Sequence, residues 1–173
     1  MATADGSVHS ISECGGERLW SISANPSGGF FSSPVLVLSP QLPVLLLANQ
    51  SGHLHAIRPV DGNIMWTIDT SVVERSESSR TAFLTAPSVV PLSSQHFRSS
   101  LAIVFARTDG CVFVCDDSVE PTPHLIYRLP SETFSTPLVL HLEPSVLSIM
   151  IGCRNDTVNR LDVNLINVFK SNL

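Results

Sequence analysis

The chain has 173 residues, 43% hydrophobic and only 14% charged, with a net charge of −5 at pH 7. That length suits one domain with a sizeable core, and an acidic balance with Arg and Lys scattered singly argues against nucleic-acid or phosphate binding. No 18-residue apolar span is present, and Met1 to Ser10 has neither a basic n-region nor an apolar h-region, so no membrane insertion or secretion is indicated and a cytoplasmic location is expected.

The first element is a turn and strand, Asp5-Gly6-Ser7-Val8-His9-Ser10-Ile11, followed by a second strand that closes on Gly16-Glu17-Arg18-Leu19-Trp20. The same unit returns as Ser51-Gly52-His53-Leu54-His55-Ala56-Ile57 and Asp61-Gly62-Asn63-Ile64-Met65-Trp66. Gly6 and Trp20 stand 14 residues apart, as do Gly52 and Trp66. A third copy, Thr108-Asp109-Gly110-Cys111-Val112-Phe113-Val114-Cys115, keeps the turn and loses the tryptophan, with Tyr127 the nearest aromatic stand-in. A fourth, Arg154-Asn155-Asp156-Thr157-Val158-Asn159-Arg160-Leu161, replaces the glycine by Asp156. Asn and Asp tolerate the left-handed backbone better than other residues with a Cβ, so one motif accounts for all four.

The turn positions 6, 52, 110 and 156 are separated by steps of 46, 58 and 46. The excess of the middle step falls in the polar stretches Ser71 to Arg80 and Ser93 to Ser100, which read as surface loops. Within one unit, Pro34 to Leu38, Val44 to Ala48, His53 to Ile57 and Asn63 to Ile68 are short apolar runs divided by turn residues. Such runs predict strands, and almost no helix is expected because Pro and Gly interrupt every helical window. The turn pairs Asp5-Gly6, Ser51-Gly52 and Asp109-Gly110 are predicted to join the second and third strands of each sheet through a positive-φ hairpin. Val44 to Ala48 is apolar throughout, whereas His53 to Ile57 alternates imperfectly, which predicts inner strands covered on both faces and outer ones on one.

A four-stranded antiparallel unit of this length, repeated, is a β-propeller blade. The predicted fold is therefore all-β, a partial β-propeller of about three and a half blades. Its parts are a half blade over 1–24 made of the outer two strands, a blade over 31–70, a long-looped blade over 82–130 and a degenerate blade over 134–173. That number does not close a ring, so the chain is expected to belong to a longer protein, a truncated gene model or a short isoform, and to self-associate through open blade edges.

The Ala56 to Trp66 segment with Asp61-Gly62 resembles the quinoprotein-type propeller repeat, named after pyrroloquinoline quinone. The resemblance implies that Trp20 and Trp66 are inter-blade docks, each indole stacking on the neighbouring blade while its N–H finds a backbone acceptor. It also implies that Gly6, Gly52, Gly62, Gly110 and Asp156 are blade turns. Phe31-Ser32-Ser33-Pro34, Leu84-Thr85-Ala86-Pro87 and Phe134-Ser135-Thr136-Pro137 look like that repeat's first strand. Their spelling is similar to the C-terminal propeller of β-alanine-activating and plant acyl-activating enzymes.

The chemistry of the parent families is not matched. Quinone enzymes place a vicinal cysteine pair over the cofactor and carboxylates around calcium, whereas Cys14, Cys111, Cys115 and Cys153 are dispersed and read as reduced thiols. Asp61, Asp69, Asp109, Asp116, Asp117, Glu143 and Asp162 read as turn and strand-end residues. Of the histidines His9, His53, His55, His96, His124 and His141, only His53 and His55 share a strand face, and no third zinc ligand accompanies them. His9 and His55 occupy the same repeat position. Nucleophile-elbow, phosphate-loop and adenylate-forming motifs are missing. Asn49-Gln50-Ser51 and Asn155-Asp156-Thr157 read as turns before glycosylation sites.

The expected function is a non-catalytic interaction or scaffold module without cofactor or metal. Its partner is a protein or another domain of a parent chain, with no nucleic acid and no membrane. The resemblance places it in the C-terminal part of an acyl-activating, carrier-protein-containing enzyme of β-alanine or fatty-acid metabolism, whose acid-thiol ligase chemistry lies upstream. The alternatives are a fragment of a quinone-dependent dehydrogenase and a stand-alone propeller scaffold.

Overall fold

The computed structural model describes residues 1–24, 28–38, 43–73, 82–92 and 101–169. The loop expected at Ser93 to Ser100, with His96, and the part of Ser71 to Arg80 beyond Val73 lie outside the described residues. The chain divides into two compact units, Met1–Ala86 and Pro87–Leu173.

In the first unit, β1 (Ser7–Ile11) and β2 (Arg18–Ser23) form a two-stranded sheet, and β3 (Val35–Val37), β4 (Val44–Ala48), β5 (His53–Ile57) and β6 (Ile64–Asp69) form a four-stranded one in chain order. Every pairing is antiparallel. Val8, Ala24, Phe30, Leu47 and Ile57 make a buried cluster against which Trp20, Ile22 and Leu45 pack, so the two sheets share one core.

The second unit holds β7 (Ser88–Pro91), β8 (Leu101–Ala106), β9 (Cys111–Asp116) and β10 (His124–Arg128), again four antiparallel strands in chain order. It continues with β11 (Leu138–Glu143), β12 (Val146–Gly152) and β13 (Val158–Asn164), a three-stranded antiparallel sheet, and ends in α1 (Leu165–Phe169). Val104, Val112 and Val114 from the first of these sheets meet Leu147, Ile149, Ile151 and Leu161 from the second, and Leu165 and Phe169 of α1 complete the cluster. Inner strands are the most covered: β5, β8 and β9 are buried at every position, whereas β2, β6 and β10 expose residues. That is the consequence of apolar runs lying between sheets while outer strands face water on one side.

Each turn closes in the same way. The residue three before the turn position donates its N–H across the hairpin, Thr3 to Ser7 O, Asn49 to His53 O, Arg107 to Cys111 O and Cys153 to Thr157 O, at 2.8 to 2.9 Å. Gly6, Gly52 and Gly110 then donate back to Thr3, Asn49 and Arg107. Only the last turn residue has positive φ, +86° at Gly6, +82° at Gly52, +89° at Gly110 and 60° at Asp156. A β-turn followed by one left-handed residue is the bulged hairpin, which needs one special position rather than two.

One feature differs from expectation. Where a degenerate blade over 134–173 was expected, the described residues 134–169 contribute three strands and a five-residue helix, because after Asn164 the chain turns and its carboxamide Oδ1 accepts the N–H of Ile166. In the Phe-Ser-Ser-Pro and Phe-Ser-Thr-Pro phrases the phenylalanine is exposed and the residue before it is buried. Phe31 and Phe134 are 55% and 51% exposed, whereas the preceding residues Phe30, Phe83 and Thr133 are buried. Phe30 N–H donates to Thr3 O and Phe83 N–H to Asn49 O, both at 3.0 Å, and Thr133 N–H donates to Thr108 O at 3.2 Å. Each pins the chain entering the next sheet to the preceding turn.

Candidate functional site

Trp20 reaches the turn between β5 and β6. Its indole Nε1 donates to Pro59 O at 2.9 Å, and its ring lies so close to Gly62 that a Cβ there would stand 2.6 Å from Cε3 and 2.8 Å from Cδ2. Gly62 has φ +77°, so it is required twice, by its backbone and by the indole above it. Trp66 occupies the same repeat position but a different setting. It is half-buried, and no partner for its N–H is found among the described residues. Both tryptophans stand opposite a small residue, Ser10 facing Trp20 and Ala56 facing Trp66, and both follow a register shift. Tyr127 follows a similar shift and faces Val112. The remaining turn residues, Gly6, Gly52, Gly110 and Asp156, lie at four separate hairpins and do not converge on one site.

The histidines are part of the same repeat. His9 Nδ1 lies 2.8 Å from Ser21 Oγ, and His55 Nδ1 lies 2.9 Å from Thr67 Oγ1, so one cross-strand histidine–hydroxyl pair occurs twice. His55 is fully buried, and its Nε2 lies 3.1 Å from Asn49 Nδ2. Asn49 Oδ1 accepts the N–H groups of Ser51 and His53, which leaves its amide to donate to His55. Nε2 must therefore accept, and Nδ1–H donates to Thr67. Burial, with the neighbouring His53 ring second, lowers the pKa of His55 from 6.5 to about 4. A proton on Nε2 would also face the donating amide, so geometry and desolvation act in the same direction.

At the place of Asn49 in the next copy stands Arg107, wholly buried, whose Nε and Nη2 grip Asp109 at 3.0 and 2.6 Å. Its guanidinium also lies 5.4 Å from the centre of the Phe113 ring. Burial opposes both charges, yet the bidentate pair prevails, raising the Arg107 pKa and lowering that of Asp109. Burial, followed by the Asp109 charge, pushes the Cys111 thiol up to about 11, and burial raises Cys115 as well, which makes both inert as nucleophiles. Sequence reasoning placed Asn49 in a turn without giving it a histidine partner, and did not single out Arg107, Phe30 or Phe83. The available signal was the position three before each turn residue, where Thr3, Asn49, Arg107 and Cys153 stand.

Two surface features remain. The β11–β13 sheet turns Val139, Ile149 and Leu161 to the core, so Leu138, Leu140, Met150, Arg160 and Asp162 lie on its other face. Leu138 and Leu140 are 56% and 44% exposed, and Val158 on the same face is 74% exposed. Between β10, β13 and α1 lies a cleft of about 500 Å³ lined by His124, Leu125, Ile126, Asp162, Val163 and Val168, among others. His124 Nε2 is buried without a hydrogen-bond partner. Among the described residues no group of three or more His, Cys, Asp or Glu could hold a metal ion.

No family model matches the chain, and no curated protein matches it by sequence. Solved structures do match. Sqt1 of Saccharomyces cerevisiae is 16% identical over 95% of this chain and 46% of its own, with a TM-score of 0.62. BBS1N, solved in complex with ARL6DN, is 14% identical over 94% of this chain and 45% of its own, with a TM-score of 0.60. BamB from Moraxella catarrhalis is 16% identical over 93% of this chain and 41% of its own, with a TM-score of 0.58. The chain thus spans less than half the length of these structures. At such identities the likeness shows the fold, an all-β partial β-propeller built on four-stranded antiparallel blades.

Proposed function

We propose that this chain is a non-catalytic propeller module that binds a protein partner. The observation that carries the reading is the outward face of the β11–β13 sheet, where Leu138, Leu140 and Val158 stand exposed beside the Arg160–Asp162 pair. Large apolar side chains exposed on one sheet face beside charged ones are the chemistry of a protein interface. The groups able to do acid–base or nucleophilic work support the same reading, since His55, Asp109, Arg107 and Cys111 are engaged in their own turns. BBS1N was solved with a bound partner, which makes complex formation a reasonable use of this fold.

Between the finer alternatives, a propeller interaction module is favoured over an acyl-activating enzyme's C-terminal part. The Phe-Ser-Ser-Pro and Phe-Ser-Thr-Pro spellings behind that resemblance have a local structural job. Ser32 Oγ donates to Ala48 O, and Ser135 N–H donates to Thr133 Oγ1 at the entry to the next sheet. Nothing in that role selects an enzyme. The quinone reading lacks its vicinal cysteines, and four free thiols favour the cytoplasm as the place of action.

The test is cross-linking and native purification of the full chain from its own cells, with Leu138→Lys/Leu140→Glu as comparison. A stoichiometric complex that this variant loses, with unchanged thermal stability, is expected. Recovery of the chain alone, or a complex indifferent to the variant, would overturn the reading.

A further inference from the structure

The strand that follows each repeat turn has a partner on its far side in three of the four copies. β1 is paired by β2, β5 by β6 and β9 by β10, always antiparallel. β13, which follows the Asp156 turn, is paired by β12 alone among the described residues, and α1 follows it directly. The far edge of this seven-residue strand therefore presents every second backbone N–H and C=O without a strand partner. The cleft lies along the C-terminal half of that edge, walled on its other side by β10, the outer strand of the preceding sheet. Apolar Leu125, Ile126, Val163 and Val168 line it together with His124, whose Nε2 is buried without a hydrogen-bond partner.

We infer that β13 receives an extended segment of a partner protein as a fourth strand, with the segment's inward side chains filling this cleft. The inference rests on the interaction reading above but concerns the sheet edge rather than its outward face. The chain's own fourth strands define the occupant. In β2 and β6 an aromatic residue is followed two positions later by an aliphatic one, Trp20 then Ile22 and Trp66 then Ile68. Ile68 is buried and Ile22 packs against the core, so the aliphatic member faces inward. The partner segment accordingly runs antiparallel to β13 and carries an aromatic–x–aliphatic pattern. Its backbone supplies affinity through the edge, and its aliphatic side chain enters the cleft.

The probe is a fluorescent peptide with the sequence Asn63 to Thr70 of this chain, titrated into the full-length protein and followed by anisotropy. Saturable binding is expected. Methylating the alternate peptide nitrogens of one register should weaken it by about tenfold or more, while methylating the other register leaves it unchanged. Val163→Lys should also weaken it by about tenfold, because it puts a cation into the cleft; Val163 packs against the core, so the comparison is made at a temperature where both proteins are fully folded. The inference is overturned if a scrambled peptide binds equally, if both methylated registers behave alike, or if the unliganded protein is a dimer with β13 covered by a second copy. Where the peptide binds this way but no cellular complex forms, the interaction function fails and the edge site stands. A cellular complex without peptide binding gives the reverse.

Discussion

His55 sets an acid limit on the first unit. The ring is fully buried, donates to Thr67 through Nδ1 and accepts from Asn49 at Nε2, and its pKa falls from 6.5 to about 4. A histidine held neutral in the folded state binds its proton more readily when unfolded. Its contribution is therefore complete above the unfolded pKa and is lost as pH falls from 6.5 toward 4. Between about pH 7.5 and about pH 4.5 that shift corresponds to a loss of about 2.5 kcal/mol. Asp109 has a lowered pKa, so its contribution is lost as pH falls through 3.8 toward its lower folded value and changes little between these two pH values. Urea unfolding at both pH values, compared with His55→Gln, which keeps a donor and an acceptor but does not titrate, measures the difference. The wild-type protein should lose about 2.5 kcal/mol more than the variant on acidification. Equal losses would refute the buried, neutral histidine and with it the Asn49–His55–Thr67 arrangement.

Gly62→Ala should destabilise by about 1 to 2 kcal/mol from its left-handed backbone alone, and more because the added methyl meets the Trp20 indole. A red-shifted tryptophan emission should accompany the lower urea midpoint. Arg107→Met leaves Asp109 buried without its cation and should cost about 3 to 5 kcal/mol, whereas Arg107→Met/Asp109→Leu should recover much of that, as chemical denaturation would show. Phe83→Ala removes a fully buried ring whose backbone pins the chain to Asn49, and a loss of about 3 to 5 kcal/mol is expected by the same assay.

Much of the fold could be read because the repeat is written in backbone chemistry. A residue that must take positive φ is rare enough to mark a hairpin, so Gly6, Gly52, Gly110 and even Asp156 located four turns and the strand that follows each. Strand burial was legible only in part: Val44 to Ala48, apolar throughout, is fully buried only from Leu46 on, whereas His53 to Ile57, which alternates in sequence, is buried at every position. Legibility failed where tertiary context decides. Arg107 and Asp109 look like a solvated pair in a polar turn, and only the surrounding sheets make them buried. Phe30 and Phe83 were overlooked beside the more regular Phe-Ser-Ser-Pro spelling, since one position along the chain separates a buried ring from an exposed one. Open blade edges were expected, but the helix at Leu165 is too short for periodicity to announce it, so their placement on β13 was not legible.

Residue-resolved amide hydrogen exchange on the free protein tests the account most directly, because it reads which strands have partners. β9, flanked by β8 and β10, should be protected along its length, while protection in β13 should alternate residue by residue and become continuous when the Asn63 to Thr70 peptide is added. Continuous protection of β13 in the free protein, or alternation that the peptide leaves unchanged, would contradict a blade waiting for its fourth strand.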